Sequence, residues 1–517
     1  MSRASARLIC MLLVSLLFWR TWAYFAIAIQ AVGYPYELDY GEGIVWQQAA
    51  LMFTPSAYGT IDTFPFVVFH YTPVYHFVVR AVVAVLGMDT LAAGRLVSIS
   101  SLLACCLVVG ALASRFASGA TTSERRLVAI VSSQLALCLY PVISWSVNMR
   151  VDMLAHALSL LGVWCGIRAM RQPWMIFAAS AAFLLAVFTK QNSIAAPLAL
   201  FAVLYAHRPR LAVVGLSVCA ASGAAALGAG YLLTEGRFLD HIFRYNVNRW
   251  SESQIAILAY VARVTLPFLF AAVISLPMLK RRIPANDERG THSGNDRVDN
   301  PVDEFVPAKA IRWYAATATV MLFGAFKIGA SSNYTIEVLL ALCVVAGAGL
   351  APVVSSALAR ASNERINVNQ LVPMFAVPLL ILSQAAFEPQ IRSGPMRDRV
   401  TTSGMDSLVV QIARSAAPVV SDDMVLIMRA GKRVEIEPAI ATELASVGIW
   451  DDTAFLRRIE RREFAMFITE GGPGDTDFDF RYTPRVAAAL MRQYPVVERR
   501  AGYMVRTPLV RASGGRD

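Results

Sequence analysis

Stretches of 13 to 25 residues almost free of charge recur eleven times along this chain. They run at Leu8–Ile29, Ala93–Ser114, Leu127–Val147, Met153–Ile167, Trp174–Thr189, Ser193–Tyr205, Leu211–Leu233, Ile255–Leu279, Trp313–Phe326, Tyr334–Ser356 and Leu371–Phe387. A bilayer core about 30 Å thick takes about 20 apolar residues as a helix. Helices are forced there, because hydrocarbon offers the backbone no hydrogen-bond partner. The pattern predicts an α-helical polytopic membrane protein with about eleven transmembrane helices. Apolar residues make up 56% and charged ones 16%, where soluble domains hold about 45–50% and about 25%. A cytosolic enzyme, a secreted disulfide scaffold and a disordered chain are excluded. All seven cysteines (Cys10, Cys105, Cys106, Cys138, Cys165, Cys219, Cys343) fall in apolar segments without metal-ligand spacing.

Charge divides the chain. Residues 1–388 carry 28 basic and 19 acidic side chains; residues 389–517 carry 19 and 17. A membrane part, 1–388, is therefore expected to precede a soluble domain, 389–517. With eleven spans and the N-terminus inside, eighteen Lys and Arg fall on the cytoplasmic side and seven outside, the bias that orients membrane proteins. The surplus of positive charge is thus a topology signal, and no nucleic-acid partner is expected. The expected location is a cell inner membrane, multi-pass, with residues 389–517 extracytoplasmic and membrane lipids around the spans. Counting Tyr71–Leu86 as a span would reverse the bias, so it is expected to be an interfacial or re-entrant helix outside. Arg20, within the first span, is expected to face the bundle.

The long outer loop 30–92 reads YPYELDYGEGIVWQQAALMF and then FPFVVFHYTPVYHF. Glu37, Asp39 and Glu42 fall within six residues. Gly41 and Gly43 permit close backbone approach, and Ile44–Phe53 is expected to form an amphipathic interfacial helix. Cationic groups stand at outer ends of other spans: Arg150, Lys190 and Lys327. Asp152 follows Arg150, with His156 on the same helix face. Asn333, Tyr334 and Glu337 follow Lys327, and His70, Tyr71 and His76 lie in the re-entrant stretch.

The acid-bearing first loop, followed by AAGRLVSISSLLA at 92–104, NMRVDMLAHALSLLG at 148–162, FTKQNSIAAPLALF at 188–201 and KIGASSNYTIEVLLAL at 327–342, resembles the GT-C membrane glycosyltransferases. These include protein O-mannosyltransferases, aminoarabinose transferases and Rgt-like enzymes, which use polyprenyl-phosphate sugars. One departure stands out: relatives often carry an adjacent Asp-Glu pair, where this chain has Asp39-Tyr40-Gly41-Glu42.

The resemblance implies an inverting glycosyltransferase that takes a sugar from a polyprenyl-phosphate donor. The acceptor would be an envelope glycolipid, polysaccharide or protein on the outer face. Such transfer needs a base for the acceptor hydroxyl, worth about 10²–10⁴-fold, for which Asp39 is favoured over Glu42. It also needs cations for the leaving phosphate, for which Arg150, Lys190 and Lys327 are candidates. Asp152, Tyr71, Asn333 and Tyr334 complete the expected substrate-binding set. The residues name no cofactor, and a divalent metal shared by Asp39 and Asp152 stays open. The rival readings are a transporter or flippase for a lipid-linked sugar, and a non-catalytic relative in envelope assembly.

Residues 389–517 are expected to form a small α/β domain, with strands at VLIM, FAMFI and YPVV and helices near Leu408–Ala416, Ala439–Val447 and Arg485–Arg492. The run EGGPGDTDFDF is expected to be a solvated loop. The polar insert Lys280–Lys309 is expected to be a flexible cytoplasmic loop.

Overall fold

The structure is a computed structural model that describes residues 3–116, 122–246, 248–277, 302–363, 379–384 and 399–509. Its helices follow the apolar segments. They run α1 Arg3–Gly33, α2 Gly41–Leu51, α3 Val74–Leu86, α4 Thr90–Ser114, α5 Thr122–Ala136, α6 Tyr140–Ser146, α7 Asp152–Ala169, α8 Met175–Val187, α9 Ala195–His207 and α10 Pro209–Leu233. The helices Ile255–Ser275, Val302–Met321 and Ile336–Asn363 complete the bundle. Among the described residues, four helices are long and apolar enough to cross a membrane. They lie at Thr90–Ser114, Pro209–Leu233, Glu252–Ser275 and Ser332–Leu350. At about 1.5 Å per residue, the 13-residue α8 and α9 reach only about 20 Å. The segment Leu371–Phe387 lies outside the described residues except for a helical stretch at 379–384, and so does the stretch around the expected 388/389 boundary. Most of the polar insert also falls outside them, but its last residues already belong to the helix Val302–Met321.

One expected span is not a single rod. Leu127–Val147 divides into α5 and α6, bent by 73° at the break. Pro141 has no N–H, so the carbonyl of Leu137, four residues earlier, loses its helical partner. Arg20 fills the gap: its Nη2 donates to Leu137 O at 2.9 Å, and the side chain is 1% exposed. The charge in α1 thus faces the bundle, as expected. Elsewhere small residues set the packing. A Cβ on Gly347 would fall 1.8 Å from Ser132 Oγ, so only glycine lets the helix Ile336–Asn363 lie against α5.

The stretch expected to be interfacial forms α3, which begins after Pro73. The helix expected at Ile44–Phe53 has different surroundings. Residues Gly41–Leu51 are helical, but Val45, Trp46, Gln47, Gln48 and Ala49 are all buried, so α2 is sandwiched by protein and does not lie on an interface.

A four-stranded sheet forms between residues 419 and 507, in the order β1-β2-β4-β3: β1 Val419–Ser421, β2 Met466–Thr469, β3 Val496–Arg500 and β4 Tyr503–Thr507. β1 and β2 are parallel, and the other pairs are antiparallel. The β3–β4 hairpin turns on Ala501 and Gly502, both at positive φ, as a tight two-residue turn requires. Helices at Arg399–Arg414, Pro438–Ser446 and Pro484–Gln493 match expectation. VLIM does not, for it lies in the helix Met424–Arg429, capped by Asp423, whose Oδ1 accepts from Leu426 N. A four-residue apolar run fits a buried helix as well as a strand. The run at 470–480 is partly helical too, at Thr476–Arg481. The long loop after α1 packs on this unit. Ile61, Phe66 and Val68 share a core with Val420, Ile436 and Leu444, and Phe66 bridges Ile436.

Candidate functional site

The acidic turn after α1 is held by one arginine. Arg95 donates to the carbonyls of Ala31, Tyr34 and Tyr36 at 2.7, 2.6 and 2.6 Å. It also grips Glu42 through two bonds of 2.8 and 2.6 Å. Glu42 further accepts the N–H groups of Leu38 and Met149, both at 2.7 Å. Both side chains are fully buried. An ion pair so deep survives only when its remaining hydrogen-bonding capacity is met, and here it is. Glu42 lines neither of the cavities described below. Its carboxylate ties the end of α1 and α4 to the residue before Arg150.

Asp39 has the opposite surroundings. Its side chain is 29% exposed, its Oδ2 accepts from Gly41 N at 3.1 Å, and Arg150 Nη1 lies 3.2 Å away. Burial pushes the Asp39 carboxyl above the usual range, and Arg150 only partly offsets this. Gly41 is needed here, because a Cβ would fall 1.1 Å from Arg150 Nη1. Gly43 admits the Met424 side chain in the same way, at 2.8 Å. The close approach expected of these glycines is therefore to protein groups.

A cavity of about 380 Å³ opens beside this pair, with Arg150, Lys190, Lys327, Tyr71, Asn333 and Tyr334 in its wall. These six came from four separate sequence segments. Asp152 stands behind them, buried. Its Oδ1 accepts from Lys190 Nζ at 2.5 Å and from Asn333 Nδ2 at 2.8 Å. Lys190 Nζ also lies 4.9 Å from the centre of the Tyr334 ring, and the Arg150 guanidinium 4.9 Å from that of Trp145. Such contacts fix the cations before any ligand arrives. His70 lines the same space, held neutral by burial and by Arg150, which push it down to about 3. His76 bonds Gln48 at 3.0 Å instead, and Glu337, though buried, does not line the cavity.

The opposite wall was not foreseen. Glu437, Ile440 and Glu443 enter it from around the helix Pro438–Ser446, with Phe480, Asn246 and Asn248. Glu437 accepts from the Tyr40 hydroxyl and caps its helix through Ala439 N and Ile440 N at 3.1 and 2.7 Å. Tyr40 also carries the Arg481 guanidinium 4.2 Å from its ring centre.

An apolar groove of about 760 Å³ runs between α8, α9 and α10, lined by residues such as Phe183, Leu198, Phe201 and Leu227. Gln191 lines both the groove and the cationic cavity. It is pinned at that junction by donating to the carbonyls of His70 and Ile242 at 2.8 and 3.3 Å.

Asp39 and Asp152 each face a cation, Arg150 and Lys190, and Asp152 keeps a buried Oδ2 without a hydrogen-bond partner among the described residues. Among the described residues, no three His, Cys, Asp or Glu side chains converge as ligands.

No family model matches the chain, and no curated protein matches it. Solved structures do. ArnT from Cupriavidus metallidurans in the apo state superposes with a TM-score of 0.60 at 16% identity, covering 94% of this chain and 97% of that one. The same protein bound to undecaprenyl phosphate gives 0.58 at 17% identity, covering 96% and 99%. The oligosaccharyltransferase AglB from Archaeoglobus fulgidus, in complex with an inhibitory peptide and a dolichol-phosphate, gives 0.51 at 10% identity, covering 88% and 69%. The chain therefore has the fold of the GT-C membrane glycosyltransferases.

Proposed function

We propose that this protein is an inverting glycosyltransferase that moves a sugar from a polyprenyl-phosphate carrier to an envelope acceptor on the outer face of an inner membrane. The observation that carries this reading is the junction at Gln191, where a cavity bearing Arg150, Lys190 and Lys327 meets an apolar groove. A polyprenyl-phosphate sugar has this same division, an anionic phosphodiester on a hydrocarbon tail, and its phosphate gains a second charge as it leaves. Binding of undecaprenyl phosphate by ArnT and of dolichol-phosphate by AglB supports the assignment.

In the proposed reaction the acceptor hydroxyl oxygen attacks the anomeric carbon. The bond from that carbon to the phosphate oxygen breaks, and the phosphate leaves with the electron pair. Arg150, Lys190 and Lys327 balance the charge that gathers on it. The hydroxyl proton passes to Asp39, whose raised basicity suits the task. Tyr71, Asn333 and Tyr334 orient the donor, and Asp152 holds Lys190 and Asn333 in place. In this reading eleven spans carry the site, and residues 389–517 form an outer domain whose Glu437, Glu443 and Phe480 close the cavity.

The test is transfer by purified protein from a panel of polyprenyl-phosphate sugars to envelope lipid extract, followed by mass spectrometry. Wild type is expected to transfer one sugar, and a folded Asp39→Asn variant to lose about 10²–10⁴-fold in rate. Full activity in that variant would remove Asp39 from the mechanism.

A further inference from the structure

On the far side of Tyr40 lies a second cavity of opposite electrical character. It encloses about 790 Å³, and its charged lining is Glu37, Asp39, Glu470, Asp475 and Asp477 against Arg499. Two of these acids already face cations: Asp39 has Arg150 at 3.2 Å, and Glu470 has Arg481 at 2.8 Å. Asp475 accepts from Gly472 N at 2.8 Å. Glu37 is left short. It is 8% exposed, its carboxyl hydrogen-bonds only the Asp423 carboxyl, and among the described residues no cation pairs with it and its buried Oε2 receives no N–H or O–H. A bound ammonium supplies what this pair of carboxyls lacks, an N–H donor and a counter-charge.

The two cavities meet at the candidate base. Asp39 lines the acidic one, its partner Arg150 lines the cationic one, and Tyr40 lines both. A phosphate belongs on the arginine side. The acidic side repels phosphate and attracts positive charge.

We propose that the acidic cavity is the acceptor subsite, and that it takes an acceptor carrying a primary ammonium group beside the hydroxyl that receives the sugar. This rests on the glycosyl-transfer reading. The ammonium pairs with Glu37, and the neighbouring hydroxyl then falls to Asp39, two residues along the same segment. Asp475 and Asp477 add long-range attraction at the mouth.

Binding is linked to protons. Glu37 is faced by Asp423 at the cap of the helix Met424–Arg429, by Glu470 after β2, by Glu42 and Asp39 from its own loop, and by the hydroxyls of Tyr34 and Tyr503. Burial and these acids hold its carboxyl well above the usual range. A cation prefers the ionised form, so affinity rises as pH increases and Glu37 sheds its proton.

The experiment is calorimetric titration of the full-length protein in nanodiscs with 5-amino-1-pentanol, which carries an ammonium and a hydroxyl. The neutral control is 1,5-pentanediol and the anionic one 5-hydroxypentanoate. The amino alcohol alone is expected to bind, more tightly at pH 8 than at pH 6. Glu37→Gln is expected to weaken it at least tenfold and to flatten the pH dependence. Asp477→Asn, at the exposed mouth, is expected to weaken it a few-fold, and it keeps the test available if Glu37→Gln does not fold. A version bearing a dodecyl chain distinguishes the source: tighter binding assigns the ammonium to a lipid headgroup, equal binding to a soluble acceptor. Equal binding of the diol, no binding of the amino alcohol, or wild-type affinity in both variants would overturn the proposal. Undecaprenyl phosphate is titrated in parallel. Its failure to bind wild type counts against the glycosyltransferase reading, whatever the amino alcohol does.

Discussion

Asp39 and Glu42 stand three residues apart, and their surroundings decide what each can do. Glu42 has both oxygens engaged by Arg95 and two backbone N–H groups; Asp39 is partly exposed beside a cavity. Glu42→Gln leaves the Arg95 charge buried without its counter-charge, and breaking such a pair costs about 3–5 kcal/mol. A clear fall in Tm in detergent is therefore expected, together with lost activity, whereas Asp39→Asn is expected to keep its Tm. Equal Tm values for both variants would contradict the division of roles. Glu437 supplies a pH signature. Burial pushes its carboxyl up to about 7, against about 4.3 in an unfolded chain. Below pH 4.3 both states hold the proton. Between there and pH 7 the unfolded chain ionises while the folded one keeps its proton, so stability is lost as pH rises through that window. Glu437→Gln removes this contribution, and its Tm is expected to gain on wild type between pH 5 and pH 8. Parallel Tm profiles would show that Glu437 does not titrate in this way.

At the scale of elements, the groove depends on small residues in α10. A Cβ on Gly223 would meet Leu184 Cδ1 at 3.5 Å, an ordinary contact, so a larger side chain there enters the groove without a backbone clash. Gly223→Phe is expected to displace part of a donor tail. Losing two methylene-sized groups costs about 1.6 kcal/mol, roughly a tenfold rise in KM for a long-chain donor. A donor whose chain ends short of Gly223 is expected to be unaffected, and an equal penalty on both would place the tail elsewhere. The element-level misreadings have a shared cause. VLIM and Gly41–Leu51 are buried on most sides, and periodicity separates helix from strand, or interface from core, only where one face meets solvent. The break between α5 and α6 was marked by Pro141, but its partner Arg20 lies more than a hundred residues away.

Across the whole molecule, the cationic cavity is lined both by residues at the ends of bundle helices and by the helix Pro438–Ser446 with its preceding Glu437. The proposed orientation puts both on one side of the membrane. Single cysteines placed in an otherwise cysteine-free protein test it: Asp477→Cys is expected to react with an impermeant maleimide from outside intact cells, and Arg171→Cys only after lysis. The reverse pattern would invert the topology and the proposed location of transfer.

Hydropathy and charge alone determined the class of protein, the burial of Arg20 and the cations at helix ends, because crossing a bilayer imposes a penalty that each segment must satisfy locally. Arg150, Lys190, Lys327, Tyr71, Asn333 and Tyr334 were legible for that reason, each standing near a span end or in the outer loop. Only the tertiary structure decided that they share one cavity, that Arg95 engages both oxygens of Glu42, and that Glu437, Glu443 and Phe480 line the same cavity. Those facts depend on contacts between residues up to about four hundred positions apart, such as Tyr40 with Glu437. No local pattern encodes which distant carboxylate finds which hydroxyl; packing of the bundle against the sheet does.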